Sequence, residues 1–183
     1  MSIGARTRRK LAAIRLLSLD LDGVLTDGGL YYTDAGDEMR KFDVKDGMGI
    51  KLALRAGIAV AIVTASTSPA IAHRGRRLGL EHVLLGVEDK LAAVQALCGR
   101  MGIALGEVAH LGDDVNDLPL LAAVGLPLAV ADATPSVRRA AAYAARRPGG
   151  QGAVREICEL LIAARKTRGV GKMGKMGSES NLK

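Results

Sequence analysis

Aromatic side chains are almost missing from this chain, which has no Trp, three Tyr and a single Phe, Phe42, in 183 residues. Proteins that grip unpaired bases stack them on such rings, so single-strand nucleic-acid recognition is disfavoured. Cysteine is nearly as scarce. Cys98 and Cys158 each sit inside an apolar helical pattern, where a free thiol behaves as a small buried hydrophobe, and both are expected to be reduced and structural. Long apolar runs are lacking too, and no segment approaches the roughly 20 residues a membrane span needs. The basic start followed by Leu11 to Leu19 imitates a secretion signal, but Arg15 interrupts it, an Asp pair ends it and no small-residue cleavage site follows. The expectation is a cytoplasmic protein with no membrane partner.

The formal charge of +7 points to nucleic acid or an acidic surface until it is located. Residues 1–10 carry +4 and residues 165–183 carry +5, which leaves residues 11–164 at −2. The basic excess belongs to the ends, so no nucleic-acid partner is expected. A hydrophobic content of 49% in a chain this long supports one well-buried core. The predicted organisation is a basic N-terminal segment over 1–10, one domain over 11–166 and a flexible tail over 167–183, rich in Gly, Lys and Ser. Two readings of that tail stay open: a solvated end, or a segment that folds over its own or a neighbouring site.

The informative residues are acids at strand ends. Asp20-Leu21-Asp22-Gly23 follows the apolar run Ile14 to Leu19, Gly112-Asp113-Asp114 follows Val108 to Leu111, and Thr64 ends Ile58 to Val63. Helical spacing between these runs argues for a parallel sheet covered on both faces, a three-layer Rossmann-like α/β fold. Such sheets bind ligands at the carboxyl ends of their strands. A single Asp there commonly caps a helix; three acids and a hydroxyl at three strand ends argue for chemistry. Gly28-Gly29 and Asp34 to Asp37 bracket Leu30 to Tyr32 and Glu38 to Phe42, which read as a projecting β-hairpin. Asp46 is expected to open the next helix and Gly57 to close it in the left-handed conformation. Only 43 residues separate Asp20 from Thr64, and 48 separate Thr64 from Asp113, so no cap domain fits.

The roles follow from what a phosphomonoester demands: a nucleophile, a proton donor for the leaving alkoxide, and positive charge on the phosphoryl oxygens. Asp20 suits the nucleophile and Asp22 the general acid and base. Asp20, Asp113 and the backbone carbonyl of Asp22 make an all-oxygen set that favours Mg2+. Thr64 and Lys90 would hold the phosphoryl group. Asp114 and Asp117 fit metal-water orientation or helix capping equally well. His110, inside an apolar strand, reads as a satisfied core histidine.

The segments Asp20 to Gly28, Thr64, Lys90 and Gly112-Asp113-Asp114, in that order, resemble the motifs of the haloacid dehalogenase superfamily of phosphatases. Within it, Phe42-Asp43-Val44-Lys45-Asp46-Gly47-Met48-Gly49-Ile50, Ala129 to Ala133 and Gly149 to Glu156 resemble the 3-deoxy-D-manno-octulosonate 8-phosphate phosphatases. The resemblance spans roughly residues 14–165. It implies a Mg2+-dependent sugar-acid phosphatase working through an aspartyl phosphate, and a homotetramer in which neighbouring subunits complete a capless site through the hairpin. Substrate positions carried over from that family are Asp22, Asp43, Val44, Lys45, Asp46, Gly47, Lys51, Arg74 and Lys90. One departure stands out: where the family usually has Thr-Gly-Arg, this chain reads Thr64-Ala65-Ser66, with Arg74, Arg76 or Arg77 as possible substitutes. Phosphatases of nine-carbon sugar-acid 9-phosphates, a non-catalytic oligomerisation module of the same fold and a phospho-accepting receiver domain are the alternatives.

Overall fold

The computed structural model describes residues 4–173. Helix α1 (Ala5–Ala13) precedes the buried strand β1 (Leu16–Leu19), and a short antiparallel hairpin follows, β2 (Tyr31–Tyr32) with β3 (Glu38–Met39). The chain then alternates: α2 (Val44–Arg55), β4 (Ala59–Val63), α3 (Pro69–Leu78), β5 (His82–Leu84), α4 (Lys90–Met101), β6 (Val108–Gly112), α5 (Leu118–Ala123), β7 (Leu126–Ala129), α6 (Pro135–Ala140), β8 (Tyr143–Ala144) and α7 (Ala153–Met173). Six strands form one parallel sheet in the order β5-β4-β1-β6-β7-β8. Among the described residues the architecture is the expected one, three layers with a projecting hairpin and without a cap domain.

Alternation along the strands divides the core between the two faces. Leu17 and Leu19 of β1 meet Ile50 of α2, Ile71 of α3 and Ile157 of α7, whereas Leu16 joins Val63 of β4 and Val94, Leu97 and Cys98 of α4. Cys98 and Cys158 are buried free thiols, and burial pushes Cys158 up to about 12. Strand order explains where ligands can go. From β1 the chain moves outward through β4 to β5, and α4 then returns it to β6 on the other side of β1. The connections leaving β1 and β6 therefore diverge, and a crevice opens at their carboxyl ends.

Three boundaries differ from expectation. Helix α2 starts at Val44, because Asp43 rather than Asp46 caps it, its carboxylate accepting from the backbone N–H of Lys45 and Asp46. The basic N-terminal segment contributes to α1, which packs on α7, with Leu11 and Ile14 buried. Helix α7 runs past residue 166, where Thr167 Oγ1 donates to the carbonyl of Ala163 at 2.8 Å, and the rest of the expected tail, 174–183, lies outside the described residues. Among the described residues no helix is long and apolar enough to cross a membrane.

Candidate active site

The carboxyl ends of β1, β4 and β6 enclose a cavity of about 440 Å3 lined by Asp20, Asp22, Thr64, Ser66, Asp113 and Asp114 with their neighbours. Asp20 leaves β1 with its backbone N–H on the carbonyl of Leu111, which fixes it beside β6. The next turn is tightened by Thr26, whose hydroxyl accepts the N–H groups of Gly23 and Gly28, each at 3.3 Å. Gly23 has φ of 82°, and a Cβ there would collide with the Asp113 carboxylate. Only glycine lets the two acidic loops come this close. Gly149 gives a second close approach, since a Cβ on it would strike the carbonyl of Gly23; its N–H donates to Asp132 Oδ1 at 2.9 Å. The glycine-rich turn before α7 thus buttresses the β1 loop from behind.

Lys90, at the first position of α4, is 3% exposed and reaches two carboxylates at once, Asp20 Oδ1 at 2.9 Å and Asp117 Oδ1 at 2.6 Å. Asp117 is fully buried. It also meets His110 Nε2 at 3.0 Å and accepts the backbone N–H of Asp113 at 3.0 Å, so both its oxygens are engaged. Burial alone would raise its carboxyl, but hydrogen bonding and charge from His110 and Lys90 take it down to about 2. With Asp117 ionised, His110 Nε2 is the donor on that side; its Nδ1 lies 3.1 Å from Ser18 Oγ. His110 is therefore the satisfied core histidine its setting suggested. Asp114 caps the short turn after it by accepting from the N–H of Val115 at 2.7 Å.

Asp20 and Asp113 are held near each other against their repulsion. Burial, then the charge of Asp117, raises the Asp20 carboxyl, and Lys90 opposes the shift. Asp113 is pushed up to about 8 by burial and then by the charges of Asp20 and Asp117. Its Oδ1 is the one buried side-chain polar atom among the described residues with no partner. Carboxylate oxygens of Asp20, Asp113 and Asp117 all lie within 4.8 Å of one another. A hard divalent cation meets all three observations, because it supplies the missing partner and reverses the electrostatics that protonate Asp113. Both oxygens of Asp117 are already engaged, whereas Asp20 pairs with Lys90 through Oδ1 and Asp113 Oδ1 has no partner, so Asp20 and Asp113 are the side chains that could hold it.

The remaining expected substrate residues do not line this cavity. Asp43 caps α2, and its carbonyl accepts from Arg74 Nη2 at 3.1 Å; the Arg74 guanidinium lies 5.5 Å from the centroid of the Phe42 ring. Gly47 packs beside Arg74, Val44 is 80% exposed, and Lys51 faces solvent. Lys45 lines a separate cleft with Arg146, Arg147 and Arg155. Asp46 is buried and accepts the backbone N–H of Gly152 at 3.2 Å and of Arg155 at 2.8 Å, joining α2 to the start of α7. One residue that reaches the site was not foreseen: Arg40, from the hairpin, pairs with Asp22 and with Ser66 Oγ. Its signal was strand alternation, which puts Glu38 and Arg40 on one side of β3 and its extension.

A family described as haloacid dehalogenase-like hydrolase matches residues 86–157. The 3-deoxy-D-manno-octulosonate 8-phosphate phosphatase KdsC of Escherichia coli K12 is 44% identical over 162 residues, 88% of this chain and 86% of that protein. The Yersinia pestis 3-deoxy-D-manno-octulosonate 8-phosphate phosphatase crystal structure superposes with a TM-score of 0.87 at 40% identity, covering 88% of each chain. The Moraxella catarrhalis phosphatase of the same specificity, solved with a magnesium ion, a phosphate ion and KDO, gives a TM-score of 0.86 at 34% identity, covering 92% of this chain and 97% of that one. With acids at the ends of β1 and β6, Lys90 between them and this extent of similarity, the chain belongs to the 3-deoxy-D-manno-octulosonate 8-phosphate phosphatase family of haloacid dehalogenase-like hydrolases.

Proposed function

We propose that this phosphatase removes the phosphate from 3-deoxy-D-manno-octulosonate 8-phosphate through a covalent intermediate on Asp20, with Mg2+ as its cofactor. The observation that carries the reading is the orphaned, buried Oδ1 of Asp113 beside Asp20 and Lys90, a site built for an anion and a cation together. An Asp20 oxygen attacks phosphorus while the bond from phosphorus to the sugar oxygen breaks. Asp22 gives its proton to the departing alkoxide and takes one back from the water that attacks the aspartyl phosphate, which frees inorganic phosphate and restores Asp20. Thr64 and Lys90 bind phosphoryl oxygens. Asp20, Asp113 and the Asp22 carbonyl would hold Mg2+, which when bound neutralises phosphoryl charge.

The sugar-acid end of the substrate needs more surface than one chain offers at this open site. Leu30, Tyr31, Tyr32 and Met39 of the hairpin and Val44 and Met48 of α2 are exposed apolar side chains, a composition suited to subunit contact. We infer a homotetramer in which Asp43, Val44, Lys45, Gly47, Lys51 and Arg74 serve a neighbouring subunit's site, whereas Asp46 is committed within its own chain to joining α2 to α7. A panel of sugar-acid phosphates, assayed with Mg2+ on wild type and Asp20→Asn, tests the function. The eight-carbon ester should be preferred and Asp20→Asn inert; preference for a nine-carbon ester reassigns the substrate, and equal phosphate release by both proteins removes Asp20 as nucleophile.

A further inference from the structure

Arg40 follows β3, and its side chain is only 3% exposed although the hairpin around it is open to solvent. A buried guanidinium needs partners for its five N–H groups, and here three residues take four of them. Nε donates to Asp22 Oδ1 at 2.7 Å; Nη2 donates to Asp22 Oδ2 at 3.2 Å and to Ser66 Oγ at 3.0 Å; Nη1 donates to Glu38 Oε1. Glu38 also accepts the Tyr32 hydroxyl at 3.0 Å, which ties both arms of the hairpin to the same cation. One side chain therefore joins the hairpin, the loop after β1 and the loop after β4.

The two bonds to Asp22 are unequal, and the inequality matters. Oδ1 is held by the short Nε bond, whereas Oδ2 shares Nη2 with Ser66. When Oδ2 turns toward the cavity, Nη2 stays anchored on Ser66 and Nε keeps its short bond to Oδ1, so the fork holds the Asp22 carboxylate by one oxygen and leaves the other less tightly bound. Asp22 lines the cavity, with 36% of its side chain exposed. Ser66 is thus where this chain anchors a guanidinium brought from the hairpin.

We propose that Arg40 is a positioning residue for the reaction, fixing the Asp22 carboxylate so that Oδ2 faces the leaving oxygen, with Ser66 as the second anchor of the fork. This rests on the reading of Asp22 as general acid, and the test separates the two ideas. Protonation of the leaving group matters for a sugar alkoxide and little for 4-nitrophenolate, a far weaker base. A residue that only supports the fold lowers hydrolysis of both esters alike, whereas a residue that orients the acid lowers hydrolysis of the sugar ester selectively.

The experiment measures kcat/KM on 3-deoxy-D-manno-octulosonate 8-phosphate and on 4-nitrophenyl phosphate for wild type, Asp22→Asn, Arg40→Ala, Arg40→Lys and Ser66→Ala, with melting temperature as the folding control. Arg40→Ala should lose about 100-fold on the sugar ester and less than about 5-fold on the aryl ester, the size expected for a mispositioned general acid. Arg40→Lys should recover only part of the loss, since a lysine keeps the charge and lacks the fork. Ser66→Ala should show the same bias more weakly, and it carries the test if Arg40→Ala fails to fold. Equal losses on the two esters, or none, overturn the proposal while Asp22→Asn still shows the bias. Absence of bias in Asp22→Asn instead removes the general-acid reading, and the role of Arg40 falls with it.

Discussion

Removing divalent cations should make this protein less stable as pH rises, and the sign follows from Asp113. An acid whose folded pKa lies above its unfolded value binds its proton more tightly when folded. Asp113 moves from 3.8 to about 8. Its contribution is therefore complete below about pH 4 and is lost as pH climbs toward 8, at up to about 1.4 kcal/mol per pH unit. Asp20 is raised as well and acts in the same direction, so the titrating proton belongs to the pair. Asp117 is held down at about 2; its stabilisation is lost only below pH 4 and leaves the neutral window alone. Asp113 is half-buried, so solvent screening reduces the swing to about 2–3 kcal/mol, or roughly 5–10 °C in melting temperature for a chain of this size. The assay is a thermal melt in chelator from pH 5 to 8.5, repeated with saturating Mg2+. The fall should appear in chelator and flatten with the metal. At pH 7 a group titrating near 8 is about ten-to-one protonated, so calorimetric titration of Mg2+ in buffers of different ionisation enthalpy should record release of nearly one proton. A melting temperature that stays flat or rises with pH in chelator, with no proton released, would refute the electrostatic account of the site.

Four further outcomes follow from contacts already described. Lys90→Met leaves Asp20 and Asp117 buried together without their shared cation, and denaturant titration should show a loss of about 3–5 kcal/mol alongside loss of turnover. Gly23→Ala must place a Cβ on the Asp113 carboxylate at positive φ; phosphatase activity should collapse while the fold loses only about 1–3 kcal/mol. Asp46→Ala frees the N–H groups of Gly152 and Arg155, and chemical denaturation should report about 2 kcal/mol. Glutamate at both Tyr31 and Met39, a cross-strand pair exposed on the hairpin, should shift sedimentation of the proposed tetramer toward monomer.

The strand-end acids were legible because an apolar run buried on both faces leaves few readings for a carboxylate that ends it. Asp20, Thr64 and Asp113 accordingly lie where the alternation of strands and helices put them. That no cap domain fits followed from the 43 and 48 residues between Asp20, Thr64 and Asp113, which the hairpin, helices and strands fill. Capping of α2 was misjudged because Asp43 and Asp46 both suit the role, and what decides between them is distant: Asp46 is taken by the N–H groups of Gly152 and Arg155, over 100 residues away. Arg40 escaped notice for a similar reason, since an arginine just after a two-residue strand reads as surface charge until the hairpin's lean onto Asp22 is known. The position of Asp117 as the hub joining Lys90 to His110 also required the fold, because Lys90 and Asp117 lie 27 residues apart in the chain.

In the proposed mechanism Asp20 itself carries the phosphoryl group during turnover. Acid-quenching the enzyme with its sugar-acid phosphate in the steady state and reducing the product with borohydride converts an aspartyl phosphate to homoserine, which peptide mass spectrometry can locate. Homoserine at position 20, absent without substrate, is the predicted result; turnover that proceeds with an unmodified Asp20, or with the label on another residue, would contradict it.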